Sequence, residues 1–192
     1  MMTRLVAILL ILMGWGLWPI PCVADTWTTE LGPYPMTMTL EWVTSARAHV
    51  LAEITIPAPR DRVWAVLTDY DHLAEFVPLI EQSRVTQRTS DTLLLYQAGA
   101  IRLFFYRRPL TVTFRVQEQP PETITFEAIA GDFRVHRGSW QVRAVPGGTQ
   151  ITYETTIEPA FHMPRWVMGQ LERELLKLTF RAIAKRCLTP TP

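Results

Sequence analysis

Apolar and polar residues alternate along residues 46–56. Ala48, Val50 and Ile54 share one side of this pattern, whereas His49 belongs to the other. Successive side chains of a β-strand point to opposite faces, so a period of two predicts a strand with one buried face. We therefore expect His49 to lie on the solvent side of that strand.

Two short helices are predicted after this strand. Pro59 suits the first turn of a helix, where its missing N–H costs little, and Val63 and Val66 follow at helical spacing. Residues 71–76 predict a second short helix, which Pro78 ends.

A series of strands without intervening helices is predicted next. Alternating or fully apolar segments occur at residues 93–96, 101–106, 110–116, 124–128, 140–144 and 151–157. Turn-forming residues separate them, notably Gly99, Pro120-Pro121 and Pro146-Gly147-Gly148. Strands that follow one another without a helical crossover predict an antiparallel meander.

The last segment predicts one long helix. Pro164 is placed to open it, and apolar residues recur every three or four positions in one stripe: Val167, Leu171, Leu175, Leu178 and Ala182. An antiparallel sheet with one apolar face needs a cover, and this helix is the only long predicted element. The sequence therefore predicts an α+β domain, and the space between sheet and helix is a natural site for a cavity.

Residues 1–24 differ in character from the rest. Arg4 precedes an unbroken apolar run over residues 5–13, and Cys22-Val23-Ala24 places small residues at the positions of a cleavage site. This pattern is typical of a secretory signal peptide cleaved after Ala24, which predicts an exported protein, whether periplasmic, lumenal or extracellular. The alternative is an uncleaved anchor, because about 20 uncharged residues can span a bilayer.

We predict that the residues after Ala24 fold as one domain. Residues 25–44, with Gly32, Pro33 and Pro35 near their centre, predict an irregular lead-in. The domain itself is expected over residues 45–188.

Composition narrows the classes of function. The 192 residues contain 19 Lys and Arg against 18 Asp and Glu, so the net charge of +1 provides no broad basic surface for nucleic acid. The two cysteines, Cys22 and Cys187, cannot form a disulfide framework or a four-ligand zinc site by themselves. No two of the four histidines have metal-binding spacing, so we predict neither a metal nor a cofactor. Cys187 is expected to be buried near a helix end.

His136 is the histidine with two open interpretations. It lies in a predicted strand between Arg134 and Arg137. It could face the cavity and polarise a ligand carbonyl, or it could cover a sheet edge. His72 is expected on the surface, and His162 lies near the predicted cavity mouth.

Three carboxylates cluster between the two short helices: Asp69, Asp71 and Glu75. Paired acids can share a proton and act as general acid and base. Aspartates also cap helices and start turns, which is the simpler interpretation of this cluster.

Aromatic residues dominate the faces predicted to point inward. The predicted lining of the cavity is Phe105, Phe114, Phe126, His136, Trp140 and Tyr153, with Val167, Leu171 and Leu175 from the last helix. An ordinary packed core is the alternative, because these rings outnumber what a pocket wall needs.

Two surfaces could contact a membrane. The first is a basic stripe on the last helix, formed by Arg173, Lys177, Arg181 and Lys185. The second is the apolar hairpin at residues 103–106, which Arg102, Arg107 and Arg108 flank. For the stripe, a solvated outer face with local ion pairs is the alternative.

Three segments carry a family resemblance. Residues 54–59 (ITIPAP) lead into 63–70 (VWAVLTDY), residues 71–78 (DHLAEFVP) follow directly, and Gly131-Asp132-Phe133 precedes Gly138-Ser139-Trp140. Over residues 45–187 this order resembles the START-like, or SRPBCC, superfamily, in particular its polyketide cyclase/dehydrase-like and coenzyme Q-binding members. The resemblance implies a helix-grip fold, in which a curved antiparallel sheet wraps around a long C-terminal helix.

The resemblance also implies a function. Members bind a lipid, isoprenoid or polycyclic molecule in an apolar cavity, and a minority catalyse reactions there. Our leading hypothesis is a non-enzymatic protein that binds and transports a hydrophobic small molecule. The alternatives are a cyclase or dehydratase acting on an apolar substrate, and a partner-binding module with a filled core.

Overall fold

The computed structural model describes residues 25–31, 34–103 and 106–189. Its strands are β1 (Asp25–Leu31), β2 (Tyr34–Trp42), β3 (Ala48–Ile56), β4 (Ile80–Arg88), β5 (Leu93–Leu103), β6 (Tyr106–Gln119), β7 (Thr123–Gly131), β8 (Phe133–Val145) and β9 (Gly148–Pro159). Its helices are α1 (Arg60–Leu67), α2 (Leu73–Phe76) and α3 (Arg165–Leu188), with a 3-10 turn at Tyr70–His72.

All nine strands form one antiparallel sheet in the order β1-β2-β3-β9-β8-β7-β6-β5-β4. After β3 the chain crosses through α1 and α2 to the far edge, and β4 to β9 then return strand by strand to pair with β3. Helix α3 covers the concave face and contacts α1, α2, β1 and β3. The predicted α+β class, antiparallel meander and helix-grip arrangement are confirmed.

Several local predictions are also confirmed. Ala48, Val50 and Ile54 are buried on one face of β3. The Pro146-Gly147-Gly148 segment connects β8 to β9, and Gly147 has the positive φ of 86° that such a turn favours. Cys187 is buried near the end of α3.

The irregular lead-in predicted for residues 25–44 is wrong. Its described residues form β1 and β2, which pair with each other in register from Asp25–Leu40 to Leu31–Tyr34. The physical reason lies in an alternation that the neighbouring prolines obscured: Met36, Met38 and Leu40 are all buried against the core. Two strands are therefore added to the edge of the sheet next to β3.

The turn predicted at Gly99 is also wrong. Strand β5 is continuous through Gly99, which pairs with Ile80 on one side and Leu110 on the other. A β-carbon at this position would overlap the carbonyl oxygen of Leu79. The glycine therefore permits a close approach of the α2–β4 connection, where Leu79 itself adopts a positive φ of 80°.

The buried face of α3 is rotated relative to the predicted stripe. Leu178 is 37% exposed, whereas the deeply buried residues are Met168, Glu172, Leu176, Phe180, Ile183 and Cys187. The periodicity missed this face because it contains Glu172, a charged type that pattern analysis assigns to solvent. Within the described ranges, no helix is long and apolar enough to cross a membrane.

Candidate ligand-binding cavity

A cavity lies between the concave face of the sheet and α3. Its outer chamber has a volume of about 260 Å³. Apolar side chains from the sheet, from α3 and from the connection between β9 and α3 enclose it. They include Ile101 and Leu110 of the sheet, Phe161 of the connection, and Met168 and Leu171 of α3. By itself this chamber is slightly smaller than the about 300–1,000 Å³ that is typical of small-molecule sites.

An inner chamber of about 170 Å³ continues toward α1. Its far end is mainly apolar and includes Leu67, Leu95, Ile124 and Ile183, with Tyr70 beside them. The two chambers meet at a shared ring of residues, here called the waist: Val77, Ile80, Gln97, Phe114, His136, Trp140, Tyr153 and Thr179.

Most residues predicted to line the cavity do lie at it. Phe114, His136, Trp140 and Tyr153 form part of the waist, Leu171 and Leu175 line the outer chamber, and Phe126 lines the inner chamber. Val167 lines neither chamber, because α3 is rotated from the predicted orientation. Phe105 lies outside the described residues. The binding of a ligand by these side chains stays a prediction.

The polar lining residues that the sequence analysis missed include Gln97, Thr111, Glu172 and Thr179. Gln97 lies two residues after Leu95 on the inward face of β5, so strict alternation could have found it. Thr179 and Glu172 face the cavity from α3. No sequence signal separated these two from the polar residues on the outer side of the helix.

His136 lies among aromatic rings. Its ring centroid is 4.8 Å from that of Phe133, 5.1 Å from that of Phe114 and 5.6 Å from that of Phe126. Burial lowers the pKa of His136 to about 4, so the imidazole is neutral at physiological pH. Its Nδ1 atom is buried and has no hydrogen-bond partner among the described residues.

Glu172 is the buried carboxyl group of the outer chamber. It is 8% exposed, and burial raises its pKa to about 7. Burial, with Glu172 as a second cause, also raises the pKa of the Tyr153 hydroxyl. The ionisable groups that line the cavity therefore favour their uncharged forms below pH 7.

The other candidate groups lie outside the cavity. The ring of His72 is 2.5 Å from the carboxylate of Asp69, which raises the pKa of this exposed histidine. Asp71 accepts a hydrogen bond from the backbone N–H of Val85 at 2.7 Å, so it fixes β4 to the 3-10 turn instead of capping a helix. Glu75 is exposed. No cluster suited to a metal ion occurs in the described part of the chain.

The remaining histidines are surface residues. His49 is partly exposed, and its Nε2 lies 3.5 Å from Glu154 on the outer face of the sheet. His162 is exposed between the cavity residues Phe161 and Met163. Neither lines the cavity, so His136 is the histidine at the site.

The surface near the mouth contains exposed aromatic and basic groups. Trp166, in the first turn of α3, is 74% exposed. The guanidinium of Arg108 lies 3.8 Å from the ring centroid of Phe161. Farther along α3, Arg173 lies 3.5 Å over the ring of Trp27 and Lys177 pairs with a neighbouring carboxylate at 3.0 Å. Half of the predicted basic stripe is therefore engaged within the protein.

Solved structures with the same architecture come from several kinds of protein. A STAR-related lipid transfer protein from Xanthomonas axonopodis is 17% identical, with a TM-score of 0.70 over 86% of this chain and 99% of that one. Human STARD10 is 12% identical, with a TM-score of 0.67 over 86% of this chain and 73% of that one. The Zhui aromatase/cyclase from a Streptomyces species is 16% identical, with a TM-score of 0.62 over 73% of this chain and 93% of that one. At these identities the similarity establishes the fold.

The sequence itself identifies the family. No curated protein matches the chain significantly. The model of the family described as "Polyketide cyclase / dehydrase and lipid transport" matches residues 56–183, which include α1, the returning strands and most of α3. This match extends over more than half of the sequence, so the chain belongs to the polyketide cyclase / dehydrase and lipid transport family.

Proposed function

We propose that this protein binds a hydrophobic small molecule, such as a lipid, an isoprenoid or a polycyclic compound, between its sheet and α3 and carries it. The observation that supports this most strongly is the cavity itself, two adjoining chambers whose walls are mainly apolar. Burial of apolar ligand surface contributes about 25 cal/mol per Å². Lipid transfer by the Xanthomonas neighbour and lipid transport in the family description support the same proposal.

A matched pair of variants tests the binding proposal. Thr179 lies at the waist, so Thr179→Trp should block the junction of the two chambers and reduce the space in both, whereas Leu178→Trp adds the same ring on the exposed side of α3. Each protein is purified from its native host, extracted with organic solvent and examined by mass spectrometry. A hydrophobic compound should accompany the wild type and Leu178→Trp but not Thr179→Trp. Equal recovery from all three proteins would contradict binding in the cavity.

A cyclase or dehydratase is the second candidate. His136, Tyr153 and Glu172 line the same chamber, and a protein named as an aromatase/cyclase shares the fold. A working general base needs an orienting partner, and the buried Nδ1 of His136 has none among the described residues, which favours the carrier. Turnover of a polyketide-like substrate that disappears in His136→Ala would favour the enzyme instead.

The mouth of the cavity is a proposed site of peripheral membrane contact. Trp166 is strongly exposed, two residues before Met168 and five before Leu171 of the outer chamber, and indole rings favour the membrane interface. Flotation with phosphatidylcholine–phosphatidylglycerol vesicles measures this contact. Trp166→Ser should reduce vesicle binding several-fold, with the exposed Leu188→Ser at the other end of α3 as the control. Equal binding by both variants would contradict contact at the mouth.

Export is proposed from residues 1–24 alone. The apolar run after Arg4 and the small residues before Asp25 support cleavage after Ala24. Amino-terminal sequencing of the native protein should begin at Asp25. A protein that retains residue 1 and sediments with membranes would favour the anchor instead.

A further inference from the structure

The waist presents a polar atom that has no hydrogen-bond partner among the described residues. Nδ1 of His136 is buried, and the rings of Phe114, Phe126 and Phe133 surround the imidazole. A buried polar atom without a hydrogen bond is unfavourable, so a ligand group that supplies the bond gains affinity at this position. Because the imidazole is neutral, Nδ1 donates in one tautomer and accepts in the other.

The charge of the lining restricts which polar group fits. No Arg or Lys lines either chamber among the described residues. The carboxyl group of Glu172 provides no counter-charge for an ionised fatty acid or phosphate ester when it is protonated, and repels such an anion when it is ionised. An anionic group would therefore lose its hydration in the cavity without gaining a counter-charge.

The position of His136 restricts where that polar group lies. The imidazole lines both chambers, with apolar volume toward Leu95 and Ile124 on the inner side and toward Leu171 and Leu175 on the outer side. A polar group at the waist would thus be joined to a hydrocarbon body that occupies the chambers.

We propose that the cavity selects an uncharged apolar molecule bearing a hydroxyl or carbonyl group, and that this group hydrogen-bonds to Nδ1 of His136 at the waist. The proposal rests on the proposed binding function and specifies its ligand class. It assigns His136 as the residue that distinguishes such molecules from plain hydrocarbons.

Three probes with one aromatic body test the hydrogen bond and the charge separately. The probes are 1-pyrenemethanol, 1-methylpyrene and 1-pyrenecarboxylate, and dissociation constants are measured by fluorescence titration at pH 6, where Glu172 is mainly protonated. The readout is the dissociation constant of 1-methylpyrene divided by that of 1-pyrenemethanol, so a larger ratio means a stronger preference for the alcohol. Comparing this ratio between variants cancels the intrinsic hydrophobicity of each probe.

His136→Phe keeps a planar ring and removes Nδ1. The ratio should fall about tenfold in this variant, which is the effect of one buried hydrogen bond. His49→Phe is the matched control, because it makes the same exchange on the outer face of the sheet, away from both chambers, and its ratio should equal that of the wild type. If His136→Phe does not fold, His136→Leu replaces it. The wild type should also bind the carboxylate at least tenfold more weakly than the alcohol.

Two results would overturn the inference. One is a ratio that stays unchanged in the His136 variants or falls equally in His49→Phe. The other is tighter binding of the carboxylate than of the alcohol by the wild type. Saturable binding of 1-methylpyrene in either case would leave the proposed function standing, whereas saturable binding of none of the probes would contradict the proposed function itself.

Discussion

Trp140 and Tyr153 are cross-strand partners on β8 and β9, and their ring centroids lie 4.4 Å apart at the waist of the cavity. Trp140 also approaches Phe180 of α3 at 5.8 Å. The pair therefore joins the floor of the cavity to the helix that covers it. The same two side chains contribute to the stability of the fold and to the wall of the site.

This contact should be measurable as a coupling energy. Trp140→Leu, Tyr153→Leu and the double variant form a double-mutant cycle for the free energy of unfolding in urea. Close aromatic pairs contribute about 0.5–1.5 kcal/mol beyond their area burial, so we expect a coupling in that range. Additive effects of the two substitutions would show that the rings lie together without stabilising each other.

Phe180 should be the residue of α3 whose truncation costs the most stability. Its side chain is 0% exposed, and Phe→Ala changes in cores destabilise proteins by about 3–5 kcal/mol. Leu178→Ala is the control on the outer side of the helix and should change stability by no more than about 0.5 kcal/mol. Chemical denaturation of both variants checks this orientation of α3, and equal losses would contradict it.

Gly138 and Gly169 should respond to alanine in opposite directions. A β-carbon on Gly138 would overlap the backbone of Glu154 in the neighbouring strand, whereas one on Gly169 would meet nothing within 4 Å. Gly138→Ala should therefore destabilise the sheet. Gly169→Ala, inside α3, should stabilise the protein by about 0.5–1 kcal/mol. Thermal melting of the two variants decides this, and a stabilising Gly138→Ala would refute the close strand approach.

His136 and Glu172 should give opposing pH dependences to the stability. Between pH 4.5 and 7, Glu172 is protonated in the folded chain and ionised in the unfolded one, so stability falls as the pH rises. Between pH 4 and 6.5, His136 is neutral in the folded chain and protonated in the unfolded one, so stability rises with pH. Each effect is on the order of 3 kcal/mol across its window, and the two largely offset each other between pH 4.5 and 6.5.

Single substitutions should expose these two slopes. Glu172→Gln should become more stable from pH 4 to 6.5 and then level off, whereas His136→Phe should lose stability from pH 4.5 to 7. Urea denaturation at closely spaced pH values measures both profiles. Profiles parallel to that of the wild type would mean that neither group is buried as the structure has it.

The sequence predicted the fold well where patterns were local. The alternation in β3, the turn at Gly147 and the antiparallel order of the returning strands all followed from periods of two and from turn residues. The lead-in and Gly99 were misjudged because proline and glycine also occur in strands where the chain turns or another backbone passes closely. The close approach of another backbone segment becomes visible only when the pairing of the strands in the structure is known.

The site was predicted in part for a related reason. Inward aromatic residues such as Phe114 and Trp140 follow from alternation along β6 and β8. Glu172 and Thr179 could not be found, because a polar residue on a buried helix face looks like one on an exposed face until the rotation of α3 is known. The interior position of His136 likewise depended on which face of β8 turned toward the helix.

Binding of an apolar molecule between the sheet and α3 is the central claim. Its most direct test is equilibrium titration of the wild type with 1-methylpyrene, alongside Thr179→Trp and Leu178→Trp. The account predicts saturation at one site per chain for the wild type and Leu178→Trp, and no saturable binding by Thr179→Trp. Absence of saturable binding to the wild type, or an undiminished affinity in Thr179→Trp, would contradict it.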